Sequence, residues 1–257
     1  MKYGYVYVAT GEQYVQEAIT SAKSLKKVDR SSHVTLITDK AISNDLFDYV
    51  ALKPNRFSGS FSGYLYKIEH LYEDSPYEKT LFIDTDTYFY ENCQPAFRLL
   101  DFYDICMAHA PGDMNELYCG EILRGYTPYN SGVIFFKKCL ENEALFLNWF
   151  KLYEEKIAHE VAEHDQPAFM EALLKSKSRV YVLQNIWNAR TIFYINLFGR
   201  VKIVHGRHKD YEALRSRINE TEAQRCWDPV RQRCLFERDS WAERMKRRLI
   251  PSFQVSK

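Results

Sequence analysis

The sequence predicts an α/β fold in which helices flank a mostly parallel sheet. Short apolar segments alternate with segments of helical periodicity along residues 3–209, an order that is typical of strand–helix–strand units. No internal repeat and no long linker divides that stretch, which favours a single core. The length of 257 residues and the hydrophobic content of 46% suit one globular domain of this class.

Hydrophobic spacing places the elements along the chain. Apolar or alternating runs predict strands at Tyr3–Ala9, His33–Thr38, Tyr49–Leu52, Lys79–Ile83, Ile105–His109, Asn130–Lys137, Tyr181–Gln184 and Val201–Val204. Apolar side chains three and four residues apart predict helices at Tyr14–Lys27, Tyr64–Tyr72, Glu143–Glu163 and Asp165–Leu174. The last helix has its start marked by Asp165 as a capping residue and by Pro167 in the first turn. The polar stretch Gly112–Pro128 is predicted to be an insertion.

Three features of the sequence bear on cellular location. The opening residues MKYGYVYVATG alternate like a strand and lack the charged and apolar regions of a signal peptide. No apolar run reaches the roughly 18 residues of a membrane span. None of the six cysteines forms a C-x-x-C pair, so neither a zinc knuckle nor a redox pair is indicated. We therefore expect free thiols in a cytoplasmic protein.

The segment most informative about function is Asp84-Thr85-Asp86, which directly follows the predicted strand Lys79–Ile83. In sheets of this type, ligands bind beyond the carboxyl ends of the strands. Two carboxylates one residue apart repel each other unless a divalent cation lies between them. Their oxygen atoms suit Mn²⁺ or Mg²⁺, and such a cation can neutralise a diphosphate. The alternative for a bare D-x-D is a solvated turn.

Two enzyme classes use this spacing of acids. Nucleotide-sugar glycosyltransferases hold a metal ion with it, and HAD-type phosphatases have a nucleophilic Asp within D-x-D-x-T. Asp84 and Asp86 fit the two acids of the phosphatase pattern, but its threonine position falls on Tyr88. That pattern normally follows the first strand of a chain and needs a later acid pair. Here at least two predicted strands come first, and no good later acid pair is present.

Six motifs then occur in one order. They are Val6–Tyr14 (VYVATGEQY), Lys67, Asp84-Thr85-Asp86, Asn130-Ser131-Gly132-Val133, His164-Asp165-Gln166 and Lys202–Lys209 (KIVHGRHK). In this order the sequence resembles the glycogenin-like, family 8 glycosyltransferases over residues 3–209. The resemblance implies a GT-A fold, a UDP-sugar donor and Mn²⁺. It also implies transfer to a hydroxyl of a carbohydrate or other acceptor, with retention of configuration. A protein that binds nucleotide sugars without transferring them remains an alternative.

The resemblance also implies roles for individual residues. Those for donor binding are Thr10, Tyr14, Lys67, Thr85, Asn130, Ser131, Gly132, Gly206 and Lys209. The implied metal ligands are Asp84, Asp86 and His205, Asp165 and Gln166 are expected near the anomeric carbon, and Asn188 in the acceptor region. One departure concerns the last motif, which is two residues shorter between its first histidine and its glycine than the family's H-x-x-G-x-x-K-P-W. His208 is therefore an alternative third ligand.

Charge separates the predicted catalytic domain, 1–209, from a basic helical C-terminal extension, 210–257. Residues 207–257 contain 13 basic and 8 acidic side chains, whereas the chain as a whole has 35 and 34. Near the end, basic and apolar residues alternate as in an amphipathic helix; they are Trp241, Arg244, Met245, Lys246, Arg247, Arg248, Leu249, Ile250 and Phe253. Such a helix either packs on the body or contacts an anionic membrane. The basic excess is too small and local to predict nucleic-acid binding.

Overall fold

The computed structural model describes residues 2–110, 117–118, 121–122, 127–161 and 164–236. The strands are β1 (Tyr3–Ala9), β2 (Val34–Thr38), β3 (Tyr49–Leu52), β4 (Lys79–Ile83), β5 (Thr87–Phe89), β6 (Ile105–His109), β7 (Leu117–Tyr118), β8 (Glu121–Ile122), β9 (Tyr129–Lys137), β10 (Val180–Leu183), β11 (Ile195–Leu197), β12 (Ile203–His205), β13 (Arg225–Asp228) and β14 (Arg233–Phe236). The helices are α1 (Glu12–Val28), α2 (Ser62–Leu71), α3 (Leu140–Ala158), α4 (Gln166–Leu174) and α5 (Tyr211–Ile218), with 3-10 helices at Gln94–Asp101 and Asn185–Trp187.

Seven strands form the central sheet, in the order β10-β6-β9-β4-β1-β2-β3. Neighbouring strands are parallel, except that β9 is antiparallel to both β4 and β6. The predicted α/β fold with a mostly parallel sheet is thereby confirmed. Because β9 runs the other way, its first residues lie at the same edge as the carboxyl ends of β1, β4 and β6. This reversal brings residues from both strand ends and strand starts to one edge.

The core lies on both faces of this sheet, because strands alternate the direction of their side chains. Tyr5 and Tyr7 of β1 are fully buried on the face covered by α1. Val6 is buried on the opposite face, where α2, α3 and α4 pack. A strand that is covered on both sides is apolar at successive positions, which explains the run Tyr5–Ala9. Full burial of a valine such as Val6 stabilises the fold by about 1.5–3 kcal/mol.

A third apolar cluster ties residues 211–236 to the rest of the chain. Trp227 on β13 is fully buried, and its ring N–H donates to the carbonyl oxygen of Thr191 at 2.9 Å. β13 pairs with both β11 and β14, which makes a three-stranded sheet. The prediction of helix holds for α5 but is wrong for residues 225–236, which form a hairpin. Asp228 caps its turn by accepting the N–H groups of Val230 and Arg231, a local signal for a turn.

Two parts of the sequence predictions lie outside what the structure describes. The amphipathic basic segment near the C-terminus is one, and most of the insertion Gly112–Pro128 is the other. The domain boundary at residue 209 stays a prediction. Among the described helices, none is long and apolar enough to cross a membrane.

A buried acid links three strands at the edge of the central sheet opposite the carboxyl ends of β1 and β4. Asp104, 4% exposed, precedes β6 and accepts hydrogen bonds from the main chain and guanidinium of Arg179, which precedes β10. Lys137 at the end of β9 lies 2.9 Å from the same carboxylate. Asp104 therefore joins three neighbouring strands. The hydrogen bonds from Arg179 and the charge of Lys137 hold the pKa of Asp104 well below its ordinary value.

We expect Asp104→Asn to lower the free energy of unfolding by about 1–3 kcal/mol at neutral pH, measured by denaturant unfolding, since charged hydrogen bonds are lost. Because the folded-state pKa is lowered, this stabilisation is present above the unfolded-state pKa, near 4. It is lost as the pH falls towards the folded-state pKa. The difference between wild type and variant should therefore narrow below about pH 4.

The matched control is Asp101→Asn. Asp101 pairs with Lys79 at 2.5 Å, but its side chain is 56% exposed, so water screens the pair. The control should change stability little. Equal losses in the two variants, or a loss in Asp104→Asn that does not depend on pH, would contradict the role given to Asp104.

Candidate active site

A cleft with a volume of about 1010 Å³ opens at the carboxyl edge of the sheet. β1 and β4 end at this cleft and β9 begins at it, as their directions in the sheet require. His205, the last residue of β12, also lines the cleft. Eleven residues that the sequence singled out line the cleft; they are Thr10, Tyr14, Lys67, Asp84, Thr85, Asp86, Asn130, Ser131, Asp165, Gln166 and His205. The other four, Gly132, Asn188, Gly206 and Lys209, are not part of this lining.

Asp84, Asp86 and His205 form a group that can hold a metal ion, since one ligand atom of each lies within 4.8 Å of the others. The His205 Nε2 atom is 3.4 Å from Asp86 Oδ1 and 3.7 Å from Asp84 Oδ2. Its position results from strand pairing, because β12 is antiparallel to β5 and places His205 opposite Thr87. The predicted set of three ligands is thus brought together.

The close approach of these ligands and their donor atoms fit a bound ion. A Cβ atom added at Gly132 would collide with His205 Cε1 and with Asp84 Oδ2, so only glycine lets the two ligands approach. The main-chain N–H of Asp84 donates to the carbonyl oxygen of Gly132 at 2.7 Å, which fixes this approach. Two carboxylates and one imidazole are a donor set for a divalent cation, and they leave coordination positions for other oxygen atoms.

The two carboxylates of the group have opposite pKa shifts. Burial raises the pKa of Asp84, and the nearby charges of Lys67 and His205 offset only part of that rise. Burial also acts on Asp86, but at low pH a protonated His205 donates to it and, together with the charge of Arg207, lowers its pKa to about 2. Asp86 is therefore the acid that stays ionised over the wider pH range.

Lys67 connects the metal group to the predicted reaction centre. Its side chain is nine-tenths buried, and its Nζ atom lies 2.6 Å from Asp165 Oδ2 and 3.5 Å from Asp84 Oδ1. Burial alone would lower the pKa of Lys67, but the charges of Asp165 and Asp84 raise it above its ordinary value. In this structure Lys67 therefore serves as the cation shared by two acids.

Asp165 occupies the capping position before α4, and Pro167 lies in the first turn, so the predicted helix start is confirmed. The carboxylate of Asp165 does not bond to a helix N–H, however. It is directed towards Lys67 and towards Ser131 Oγ at 3.5 Å, while its carbonyl oxygen accepts the ring N–H of Trp149. The cap interpretation of the side chain is corrected, because the ion pair with Lys67 is the stronger interaction.

A chain of side-chain amides connects His205 to Gln166. His205 Nδ1 lies 2.9 Å from Asn188 Oδ1, and Asn188 Nδ2 donates to Asn130 Oδ1 at 2.8 Å. Asn130 Nδ2 donates to Gln166 Oε1 at 3.1 Å, while the main-chain N–H of Gly132 donates to Asn130 Oδ1 at 3.0 Å. Asn188, predicted for the acceptor region, is thus a buried neighbour of His205.

The turn after β1 also lines the cleft. Gly11, with φ +78°, donates its N–H to Asp39 Oδ1 at 2.9 Å, and Asn55 donates to the Thr10 hydroxyl oxygen at 2.9 Å. The Tyr14 ring on α1 is 44% exposed and lines the cleft, so its face is open to a planar ligand.

The loop after β12 brings Arg207 to the cleft. Gly206 turns the chain with φ +117°, and its N–H donates to the carbonyl oxygen of Asp86. Arg207 lines the cleft and pairs with Glu17 at 2.7 Å, whereas Lys209 is exposed outside the lining. His208 Nδ1 accepts the main-chain N–H of Asp210, so of the two histidines it is His205 that belongs to the metal group.

Residues of the lining that lie outside the predicted motifs include Asp39, Tyr64, Arg190 and Phe193, whereas Arg207 belongs to the last motif, Lys202–Lys209. Asp39 follows β2, so the rule that sites lie at strand ends was a usable signal. Arg190 carries no such signal, because it lies in an irregular segment. Its Nε atom is buried without a hydrogen-bond partner among the described residues, and burial lowers its pKa.

Comparisons with known proteins bear on the fold. No protein-family model matches the chain, and no curated protein matches its sequence. Mouse xyloside xylosyltransferase 1, in its apo form, is 14% identical with a TM-score of 0.54, over 80% of this chain and 98% of that one. The glycosyltransferase GlyE of Streptococcus pneumoniae TIGR4 is 16% identical with a TM-score of 0.55, over 82% of this chain and 55% of that one. The chain has the GT-A fold.

That result confirms the predicted fold type, and at these identities the likeness extends to the fold alone. The chain spans little more than half the length of GlyE but almost the whole of the mouse protein. The roles of the individual site residues stay predictions.

We expect Gly132→Ala to weaken divalent-cation binding at least about tenfold, with Mn²⁺ as the probe in isothermal titration calorimetry, because the methyl group displaces His205 or Asp84. The control is Gly63→Ala, which lines the same cleft but whose Cβ would lie 3.9 Å from Thr10 Cγ2, an ordinary contact. Wild-type affinity in Gly132→Ala would contradict the proposed crowding.

Proposed function

We propose that the protein is a metal-dependent glycosyltransferase of the glycogenin-like, family 8 type. It would move a sugar from a UDP-sugar to an acceptor hydroxyl. The observation that carries the proposal is the Asp84–Asp86–His205 group, which lies in a large cleft at the carboxyl edge of a GT-A sheet. Both fold relatives named above are glycosyltransferases, which supports sugar transfer as the reaction class.

Asp84, Asp86 and His205 would hold the ion, for which we propose Mn²⁺, with Mg²⁺ as the alternative. Carboxylate ligands suit both ions, and the imidazole favours the transition metal. When bound, such an ion stabilises the negative charge that develops on a diphosphate leaving group.

The other residues of the cleft would bind the donor. Tyr14 and Thr10 lie at the end that we assign to the uracil, where the exposed ring offers a stacking surface. Arg190 and Arg207 line the cleft and are suited to the diphosphate, since guanidinium groups donate two parallel hydrogen bonds to phosphate oxygens. Gly206 and Lys209 lie in the same loop as Arg207, and we keep them as proposed donor-binding residues.

Asp165 and Gln166 would lie beside the anomeric carbon. Gln166 lines the cleft, and Asp165 is held by Lys67 and faces Ser131. Retention of anomeric configuration is proposed from the resemblance. The acceptor would be a carbohydrate or another hydroxyl compound, and we keep a cytoplasmic location as part of the proposal.

The phosphatase alternative is disfavoured by the fifth position of D-x-D-x-T, which is Tyr88 in this chain and carries no threonine hydroxyl. Tyr88 is 9% exposed, its ring stacks on that of Tyr211, and its hydroxyl donates to Glu212. Its side chain therefore packs in the third cluster, and a phosphomonoester assay with Mg²⁺ should show no turnover.

The test is a thermal-shift panel of nucleotide sugars with and without Mn²⁺, followed by a turnover assay with the donor that binds. A ligand at about 100 times its Kd stabilises the folded state by about 2.7 kcal/mol, which raises the melting temperature. We expect the largest shift for one UDP-sugar with Mn²⁺ present. Asp86→Asn should remove the Mn²⁺-dependent part and lower kcat about 10²–10³-fold.

Asp101→Asn is the control, since it makes the same chemical change outside the cleft. A shift that is equal with and without Mn²⁺, or full turnover in Asp86→Asn, would disprove the metal assignment. Donor binding without hydrolysis or transfer over a broad acceptor panel would favour a binding protein.

A further inference from the structure

We infer that Asn130 and Asn188 fix the tautomer of His205, and that Asn188 is a positioning residue for the metal site. This inference rests on the proposed function only for the ion that His205 would bind. The relay, defined as the hydrogen-bonded series Asn130–Asn188–His205, holds the ring proton on Nδ1 and leaves the Nε2 lone pair directed between Asp84 and Asp86.

The relay is anchored by a group that can only donate. A main-chain N–H has no lone pair, and that of Gly132 points at one end of the Asn130 amide at 3.0 Å. That end must be the carbonyl oxygen, Oδ1. The Nδ2 end of Asn130 then faces Gln166 Oε1 at 3.1 Å, where it donates. The backbone thus determines which way the Asn130 amide is turned.

The orientation passes from one amide to the next. Asn188 lies 2.8 Å from Asn130 Oδ1, and only its Nδ2 atom can donate to that oxygen. Its own Oδ1 atom therefore faces His205 Nδ1, at 2.9 Å. Two lone pairs at this distance would repel, so the proton must lie on Nδ1. The neutral ring then has its lone pair on Nε2, the atom nearest to Asp84 and Asp86.

Burial makes the relay hard to replace by water. Asn188 is 1% exposed, Asn130 is 3% exposed and His205 is 5% exposed. The backbone on either side of Asn188 is also fixed to β12, because Ala189 donates to Ile203 and accepts from His205. In such a low-dielectric setting an unmatched amide or ring nitrogen loses a full hydrogen bond.

The same series orients Gln166. Its Oε1 atom accepts from Asn130 Nδ2, so Gln166 Nε2 is the atom left for the cleft. Gln166 therefore presents a donor to the bound substrate, and the metal ligand and the reaction centre share one set of hydrogen bonds.

The first test is the ring of His205 in metal-free wild-type protein, by ¹⁵N–¹H correlation spectroscopy at a pH where the ring is neutral. The relay requires a protonated Nδ1 and an unprotonated Nε2. A neutral ring with its proton on Nε2 would overturn it. This measurement needs neither a bound ion nor a variant.

The second test is Mn²⁺ affinity in two variants. Asn188→Leu removes the acceptor for Nδ1–H, and the affinity should fall about 10–100-fold, as for the loss of other partners behind metal ligands. Asn188→Asp keeps an acceptor for Nδ1–H but loses the donor to Asn130 Oδ1. It should keep the Nδ1–H tautomer and bind Mn²⁺ more tightly than Asn188→Leu does. Equal affinities in wild type and Asn188→Leu would overturn the inference, as would a failure of Asn188→Asp to restore the tautomer.

Asn142→Leu is the matched control. Asn142 is also a fully buried asparagine, but its Nδ2 atom donates to the carbonyl oxygens of Asp104 and Lys137 at the other edge of the central sheet and not at the cleft. Its loss should lower the melting temperature without changing Mn²⁺ affinity. Wild-type protein that binds no divalent cation would disprove the proposed function, while the spectroscopy alone would still decide the tautomer.

Discussion

The candidate site depends on the close approach of Asp84 and His205 across the bare α-carbon of Gly132. The hydrogen bond from the Asp84 N–H to the Gly132 carbonyl locks β4 against β9 at this point. The pairing of β12 with β5 then determines where the imidazole lies. Both constraints are made by main-chain atoms, so the metal group is positioned by the sheet itself. The side chains that surround it set the charge and the proton position of its ligands.

Charge in the cleft is balanced in pairs. Lys67 lies between Asp84 and Asp165, while Arg207 lies near Asp86 and pairs with Glu17. Removing a buried cation from such a pair leaves an unmatched carboxylate, which is far more costly than losing a pair on the surface. The acids of the site therefore remain close together in the folded protein before any ligand neutralises them.

The fold and most of the cleft were predictable because their signals are local. Strand-end acids, apolar runs and motif order indicated the sheet and the group around Asp84. The strands β5 and β12 have three residues each, too few to show alternation, so their pairing was not predictable. The role of Asn188 was missed for another reason: a buried amide is recognised only by its partners, which are far away in the sequence. The hairpin at Trp227 was missed because the basic composition after residue 209 was given more weight than its turn residues.

The three residues of the metal group come from two different parts of the fold, and this affects the stability of the whole molecule. Asp84 and Asp86 extend from the central sheet, whereas His205 ends a strand packed on the third cluster, with Val204 and Trp227 in its core. An ion bound by all three would act as a cross-link between the sheet and the C-terminal hairpin unit. By linkage, ion binding would stabilise the docking of that unit, and docking would strengthen ion binding. Damage to the hairpin would therefore weaken ion binding from a distance.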